Sequence, residues 1–254
     1  MDDLKGKTAL ITGASTGIGA AVAIDFAARG MRVAVHYNSS ADAANKVVAD
    51  IVAAGGEAFA VQGDVRDTAA IRRVVKESND RLGSIDVLVN NAGSLVKRAP
   101  IAEMTDEMFD EILHINARSV VAFCREVVPL MRAQGRGGNI INVTSVAARN
   151  GGGPGAFLYA GSKGFVSTVT HGLAKELVPD RIRVNAVAPG VIQTPFQDRF
   201  STPQMMESFR ASIPMGRIGE PQECVGAFVF LASDKLSGYV TGQILEVNGG
   251  QYMP

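Results

Sequence analysis

Tyr159 and Lys163 stand four positions apart in a stretch, 157–178, whose apolar spacing predicts a helix, so the two side chains share one face. A phenol titrates near pH 10, and a neighbouring ammonium favours its phenolate. Bringing that value to about 7 requires about 4 kcal/mol of differential interaction. A phenol so tuned gives a proton to a carbonyl being reduced or takes one from an alcohol. The spacing alone is a weak signal. Ser145, just after the β-branched run 139–144, adds a hydroxyl at the end of an expected strand.

A second cluster suits an anionic ligand. Thr12-Gly13-Ala14-Ser15-Thr16-Gly17-Ile18-Gly19 separates an apolar run at 8–12 from a helical pattern at 18–29. Its G-x-x-x-G-x-G spacing differs from the usual dinucleotide fingerprint, G-x-G-x-x-G. The physics is the same: glycines let backbone N–H groups approach a pyrophosphate, and the helix dipole favours the negative charge. A plain tight turn is the alternative. At the end of the second expected strand, His36-Tyr37-Asn38-Ser39-Ser40 contains no carboxylate. An acid there would bind the ribose hydroxyl of NAD and repel the 2′-phosphate of NADP. Asn38, Ser39 and Ser40 can donate hydrogen bonds to that phosphate, although no arginine supplies a charge-assisted contact. The segment therefore favours NADP(H) over NAD(H). Asn90-Asn91-Ala92-Gly93 follows the fourth expected strand, where a parallel sheet opens its ligand crevice; a mere turn is again the alternative.

The elements that must position these residues alternate from end to end. Strands are expected at 8–12, 32–37, 58–62, 85–89, 139–144, 181–186 and 243–247, and helices at 18–29, 41–54, 67–82, 105–132, 157–178 and 221–232. Continuously apolar strands are buried on both faces, which implies a parallel sheet covered by helices. The expected fold is one doubly wound α/β domain over 1–254, a Rossmann-type parallel sheet of seven strands with helices on both faces. Residues 189–219 read as one long irregular insertion, the kind of loop that serves as a substrate lid.

Composition narrows the function. The 25 basic and 25 acidic residues balance, which removes the electrostatic footprint of a nucleic-acid binder. No run of 18 apolar residues suggests a membrane span, and the first residues lack a signal-peptide layout, so the expectation is a soluble cytoplasmic protein. Cys124 and Cys224 read as buried small hydrophobes, and His36, His114 and His171 lack metal-ligand spacing. The 28 glycines in 254 residues are an excess that calls for forced turns and close backbone approaches.

In order along the chain, Thr12-Gly13-x3-Gly17-Ile18-Gly19, Gly63-Asp64-Val65, Asn90-Asn91-Ala92-Gly93, Asn116, Ser145, Tyr159-x3-Lys163 and Pro189-Gly190 resemble the short-chain dehydrogenase/reductase family, from Leu4 to Met253. The resemblance implies that Tyr159 is the acid/base and that Lys163 lowers its pKa and binds the nicotinamide ribose. Ser145 would bind the substrate carbonyl, and Asn116 would hold a water in a proton relay. It further implies adenine contacts from Asp64 and Val65, and an adenosine wall from Asn91 and Ala92. A nicotinamide segment would comprise Pro189, Gly190, Ile192 and Thr194. Two departures stand out. Ser145 and Tyr159 are 14 positions apart where 13 is common, which makes Thr144 the fallback hydroxyl, and Thr16 stands where many NADP-dependent members carry a basic residue.

The C-terminal Val247-Asn248-Gly249-Gly250-Gln251-Tyr252-Met253 is similar to that of 3-oxoacyl-(acyl-carrier-protein) reductases. The expected substrate is thus a small carbonyl or alcohol, or a carrier-bound acyl chain. A sugar or polyol dehydrogenase, a non-catalytic NADP-binding regulator, and an isomerase or lyase are the alternatives. The resemblance implies a homo-oligomer, a tetramer in particular, with the apolar stretches 104–131 and 157–178 supplying subunit contacts as the corresponding helices do in tetrameric members. Arg125, Arg132 and Arg136 read as a solvated helix face or a docking surface for an acidic carrier. Phe196, Phe200, Met205, Met206 and Phe209 line a pocket or pack against the body.

Overall fold

Seven short strands, most of them buried on both faces, line up in parallel in the computed structural model, which describes residues 3–254. The chain runs β1 (Thr8–Ile11), α1 (Gly17–Ala28), β2 (Arg32–Tyr37), α2 (Ala41–Ala53), β3 (Glu57–Gln62), α3 (Thr68–Leu82) and β4 (Val87–Asn90). It continues through α4 (Asp106–Leu113), α5 (Ser119–Gln134), β5 (Gly138–Val143), α6 (Ala147–Asn150), α7 (Phe157–Leu177) and β6 (Ile182–Pro189). The last part holds α8 (Pro195–Phe200), α9 (Pro203–Ser212), α10 (Pro221–Ala232), α11 (Asp234–Ser237) and β7 (Ile244–Val247). The sheet order is β3-β2-β1-β4-β5-β6-β7, so the winding reverses between β1 and β4. Crevices form at such a switch point, outside the carboxyl ends of the strands.

Alternate residues of each strand feed opposite faces. Ala9 and Ile11 of β1 join a core with Phe26 of α1 and Phe228 of α10, whereas Leu10 joins one with Val74 of α3, Phe123 of α5 and Val166 of α7. Cys124 and Cys224 are both buried and free. Among the described residues no helix is long and apolar enough to cross a membrane.

Two elements differ from the sequence reading. The helix expected at 105–132 is interrupted by a π-turn at His114–Arg118 between α4 and α5, and 189–219 is not irregular but carries α8 and α9. Both of those helices open with proline in the first turn, and Thr202 caps α9 by accepting from the Met205 amide at 3.2 Å. These signals lie in segments too short for periodicity to register.

Candidate active site

Loops leaving β1, β4, β5 and β6 converge on a cleft of about 690 Å³ at the switch point. One end of it is built from the glycine loop. The Thr12 hydroxyl accepts from the amides of Asn91 (2.9 Å) and Ala92 (3.0 Å), which fastens the end of β1 to that of β4. The Asn91 side chain donates to the carbonyls of Thr12 and Gly13, both at 2.9 Å. Asn91 thus braces the loop with its amide while lining the cleft beside Ala92. His36 closes the other side. Its Nδ1 accepts from the Gly13 amide at 3.1 Å and its Nε2 donates to the Gly63 carbonyl at 3.0 Å, a pairing that requires the neutral ring. Burial drives the ring's pKa down to about 4, so the strut stays neutral at physiological pH.

The geometry fits a dinucleotide. Thr16 makes no capping hydrogen bond and no acid stands in the first turn of α1, so the first amides of that helix are left for an anion. A β-carbon at Gly17, where φ is +57°, would meet Thr194 Cγ2 at 3.1 Å. The glycine loop and the expected nicotinamide segment therefore face one another across a narrow gap. Ser15, Ile18, Tyr37, Asn38 and Ser39 line the same end, and the wall from His36 to Ser40 presents no carboxylate. Gly19 does not line the cleft; it packs under the loop. Val65 lines the cleft, but the Asp64 carboxylate is already bound by Arg66 at 2.6 Å, and that side-chain contact is the main influence holding it below the usual carboxylate range. Glu111 takes the other side of the Arg66 guanidinium at 2.8 Å. Sequence reasoning missed both His36 and Arg66 as parts of this wall, because neither belongs to a spaced motif.

Tyr159 and Lys163 sit on α7, and Ser145 follows the tip of β5. Tyr159 and Lys163 share the helix face as expected, and the Ser145 hydroxyl acts on the Tyr159 phenol so as to favour its ionised form. The alternative hydroxyl is committed elsewhere: Thr144 donates to the Lys163 carbonyl at 2.8 Å and contacts the Ser167 hydroxyl. Beneath these groups a buried polar chain fixes the strand ends. Asn90 donates to Asn142 and Asn142 to Thr170, each at 2.9 Å, tying β4 and β5 to α7. Gly93 lets the loop pass close by, since a β-carbon there would lie 3.0 Å from Asn116 Oδ1 and 3.2 Å from Lys163 Nζ.

Asn116 occupies the π-turn. Its amide donates to the Ile112 carbonyl at 2.9 Å and to the Ser94 carbonyl at 2.7 Å, while its oxygen accepts from the Ser94 amide at 3.0 Å. The side chain thus satisfies a carbonyl at the helix break and pins the loop after β4. Farther along the cleft, Gly190 donates its amide to Val247 at 2.9 Å, Pro189 accepts from Val146 at 2.9 Å, and Ile192 is buried behind Thr194. Phe196 and Phe209 line the cleft, Phe200 and Met205 line a neighbouring hollow, and Met206 lines neither. Arg125, Arg132 and Arg136 are exposed and paired with Glu126, Asp180 and Asp86.

Burial dominates the electrostatics of the pair. Lys163 does not by itself lower the phenol: burial raises Tyr159 to about 12, outweighing the opposing influence of Ser145. The ammonium donates to the Val143 carbonyl at 2.8 Å and stands 5.8 Å from the Tyr159 ring centroid, while burial lowers Lys163 itself to about 8. A lysine whose folded value lies below its unfolded value penalises the fold at pH 7, and the penalty fades as pH rises from about 8 to 10.5. Lys163→Met should accordingly raise the unfolding free energy at pH 7 by on the order of 1–2 kcal/mol, after the lost bond to Val143 is counted. Denaturant titrations of both proteins at pH 7 and pH 10 check this. A Lys163→Met protein less stable than the parent at pH 7 would refute it.

The comparisons with known proteins agree with this architecture. The family described as "Enoyl-(Acyl carrier protein) reductase" matches residues 13–251. The 3-oxoacyl-(acyl-carrier-protein) reductase of Synechocystis sp. is 40% identical over 253 residues, covering 100% of both chains. That of Staphylococcus aureus is 39% identical over 247 residues, 97% of this chain and 98% of its own. Among solved structures, an NADH-dependent reductase responsible for alginate metabolism superposes with a TM-score of 0.91 at 38% identity, covering 100% of both chains. A dehydrogenase/reductase from Sinorhizobium meliloti gives 0.93 at 37% identity, covering 99% of this chain and 98% of its own. The chain belongs to the short-chain dehydrogenase/reductase family and is an NAD(P)-dependent oxidoreductase.

Proposed function

We propose that the protein is an NADP(H)-preferring carbonyl reductase of the 3-oxoacyl type, with Tyr159 as its acid/base. The observation that carries this reading is one cleft on which Ser145, Tyr159 and Lys163 converge, with the Lys163 ammonium 5.8 Å from the Tyr159 ring centroid. A bound nicotinamide supplies the hydride. Ser145 orients the substrate carbonyl and donates a hydrogen bond to it. Tyr159 gives its proton to the oxygen as that oxygen gains charge. Lys163 favours the phenolate left behind and binds the nicotinamide ribose. Asn116, locked at the π-turn, positions a water for returning the proton. Gly13, Ser15, Thr16, Gly17 and Ile18 hold the pyrophosphate, with Gly19 supporting the loop beneath. Tyr37, Asn38 and Ser39 receive the adenosine ribose phosphate, Val65, Asn91, Ala92 and Gly93 line the cofactor's flank beside Asp64, and Pro189, Gly190, Ile192 and Thr194 hold the nicotinamide. Residues 189–219 form the substrate lid of a single domain.

Kinship with an NADH-dependent reductase of alginate metabolism favours a second reading, in which NAD(H) reduces a sugar-derived ketone. Because the chain has no tryptophan, binding is best read from the reduced cofactor's own fluorescence. NADPH should bind at least about tenfold tighter than NADH, and Asn38→Asp should reverse the order, since a carboxylate repels the 2′-phosphate. Equal affinities in the parent protein would favour the second reading. Loss of absorbance at 340 nm with a panel of 3-oxoacyl thioesters and sugar-derived ketones then identifies the substrate class. Assembly into a homo-oligomer, a tetramer in particular, is part of the proposal. It is supported by the exposed Phe109, Val121, Phe157 and Phe165 on α4, α5 and α7.

A further inference from the structure

From the acid–base pair an aromatic path leads toward the lid. The Phe196 ring lies 5.7 Å from Tyr159, and the Phe200 ring 4.9 Å from Phe196, centroid to centroid. Phe200 is in turn a wall of a second hollow of about 410 Å³, which shares Val96, Arg98 and Arg199 with the main cleft. Charge in the hollow is one-sided: Lys97, Arg98 and Arg199 line it, and no aspartate or glutamate does. Arg98 is fixed as a strap, donating to the Phe200 carbonyl at 2.6 Å and the Pro154 carbonyl at 2.8 Å, with no carboxylate partner. Among the described residues Lys97 and Arg199 form no ion pair, and the Arg199 guanidinium rests only over the Phe200 ring at 5.1 Å. The turn that presents Lys97 and Arg98 passes through Val96 at φ +64°, a backbone region that a β-branched side chain disfavours. Strain of this kind persists where the surroundings impose it, and it clusters at ligand clamps.

Three cations in a concave hollow without a counter-charge form a seat for an anion. We infer that the substrate bears an anionic group, a carboxylate or a phosphate, that sits among Lys97, Arg98 and Arg199 while its ketone reaches Tyr159 along Phe196 and Phe200. This rests on the carbonyl-reductase reading and adds a substrate class to it. A carboxylate would come from a free keto acid, and a phosphate from the arm of a carrier-borne substrate.

The test uses two matched pairs of probes, 5-oxohexanoate with its methyl ester and 4′-phosphopantetheine with pantetheine. Each is titrated calorimetrically into the full chain saturated with its preferred nicotinamide dinucleotide, and turnover is followed for the ketone pair. In the parent, the charged member of at least one pair should bind about tenfold tighter than its neutral partner. The double variant Lys97→Gln/Arg199→Gln should erase that preference and leave the neutral members unchanged. Preference for the keto acid alone identifies a free acid, and preference for phosphopantetheine alone identifies a carrier arm. Absence of charge preference in the parent, or its survival in the double variant, overturns the inference. Absence of turnover both with this ketone pair and with the panel of 3-oxoacyl thioesters and sugar-derived ketones, the binding preference being intact, instead overturns the reductase reading.

Discussion

Tyr159→Phe should lower kcat by about 10²–10⁴ while the protein keeps its fold and its cofactor affinity. The substitution removes one hydroxyl and leaves the ring that packs 5.7 Å from Phe196, so neither core nor cleft changes shape. The magnitude follows from the proton. Burial raises the phenol to about 12, so Tyr159 keeps its proton at neutral pH, the form that the proposed reduction would consume. Without it, water must protonate the nascent alkoxide inside a buried site. Turnover above about 1% of the parent's, measured at 340 nm with melting temperature unchanged, would sink the acid/base role. The same direction of shift predicts an asymmetry: alcohol oxidation, which needs the phenolate, should climb with pH where ketone reduction does not.

Gly19→Ala should loosen both the fold and the cofactor. A β-carbon at this position in α1 would lie 2.5 Å from the Gly13 carbonyl and 2.5 Å from the Asn91 amide, with Ala14 Cα at 3.0 Å. Turning the Asn91 side chain relieves only one of these contacts, and the other two are backbone. The glycine loop must then lift from the helix that supports it. Overpacking of this kind costs about 1–3 kcal/mol, and displacement of the amides that face the phosphates should weaken NADPH by at least about tenfold. Gly226→Ala in α10 is the internal control. Nothing lies within 4 Å of its added carbon, so helix propensity alone should leave stability equal or raise it by about 0.5–1 kcal/mol. Equal melting temperatures and equal NADPH affinity for Gly19→Ala and the parent would rule out the packing argument.

These two sites also mark how far the sequence could be read. The alternation of buried strands and amphipathic helices was legible because its periods are strong, and all seven strands stand within a few residues of their expected bounds. The residues singled out by identity and spacing, such as Tyr159, Lys163, Ser145 and the glycine loop, stand along one cleft because the strand order brings their loops together. What escaped depends on distance through space. Nothing in the spacing of His36 shows a neutral ring strung between Gly13 and Gly63, and nothing near Arg98 shows a guanidinium spanning Phe200 and Pro154. The weight of burial on Tyr159 also escaped, because burial is a property of the packed molecule and has no spacing in the sequence. The helices of 189–219 were missed because each is only 6 or 10 residues long, and they are set by proline and cap chemistry more than by an apolar stripe.

The π-turn at His114–Arg118 has a geometric consequence for how this enzyme can vary. An α-helix advances about 100° per residue, so one extra residue in a turn acts as a phase shift on everything after it. Before the shift α4 packs on α7, and after it α5 packs on α3 and on the central strands β4 and β5. Deleting a single residue there would mend the backbone ladder and yet rotate one half of the helix out of its own groove. The wide turn that seats Asn116 is therefore locked in place by two hydrophobic faces, and the local irregularity is insured by the bulk of the core.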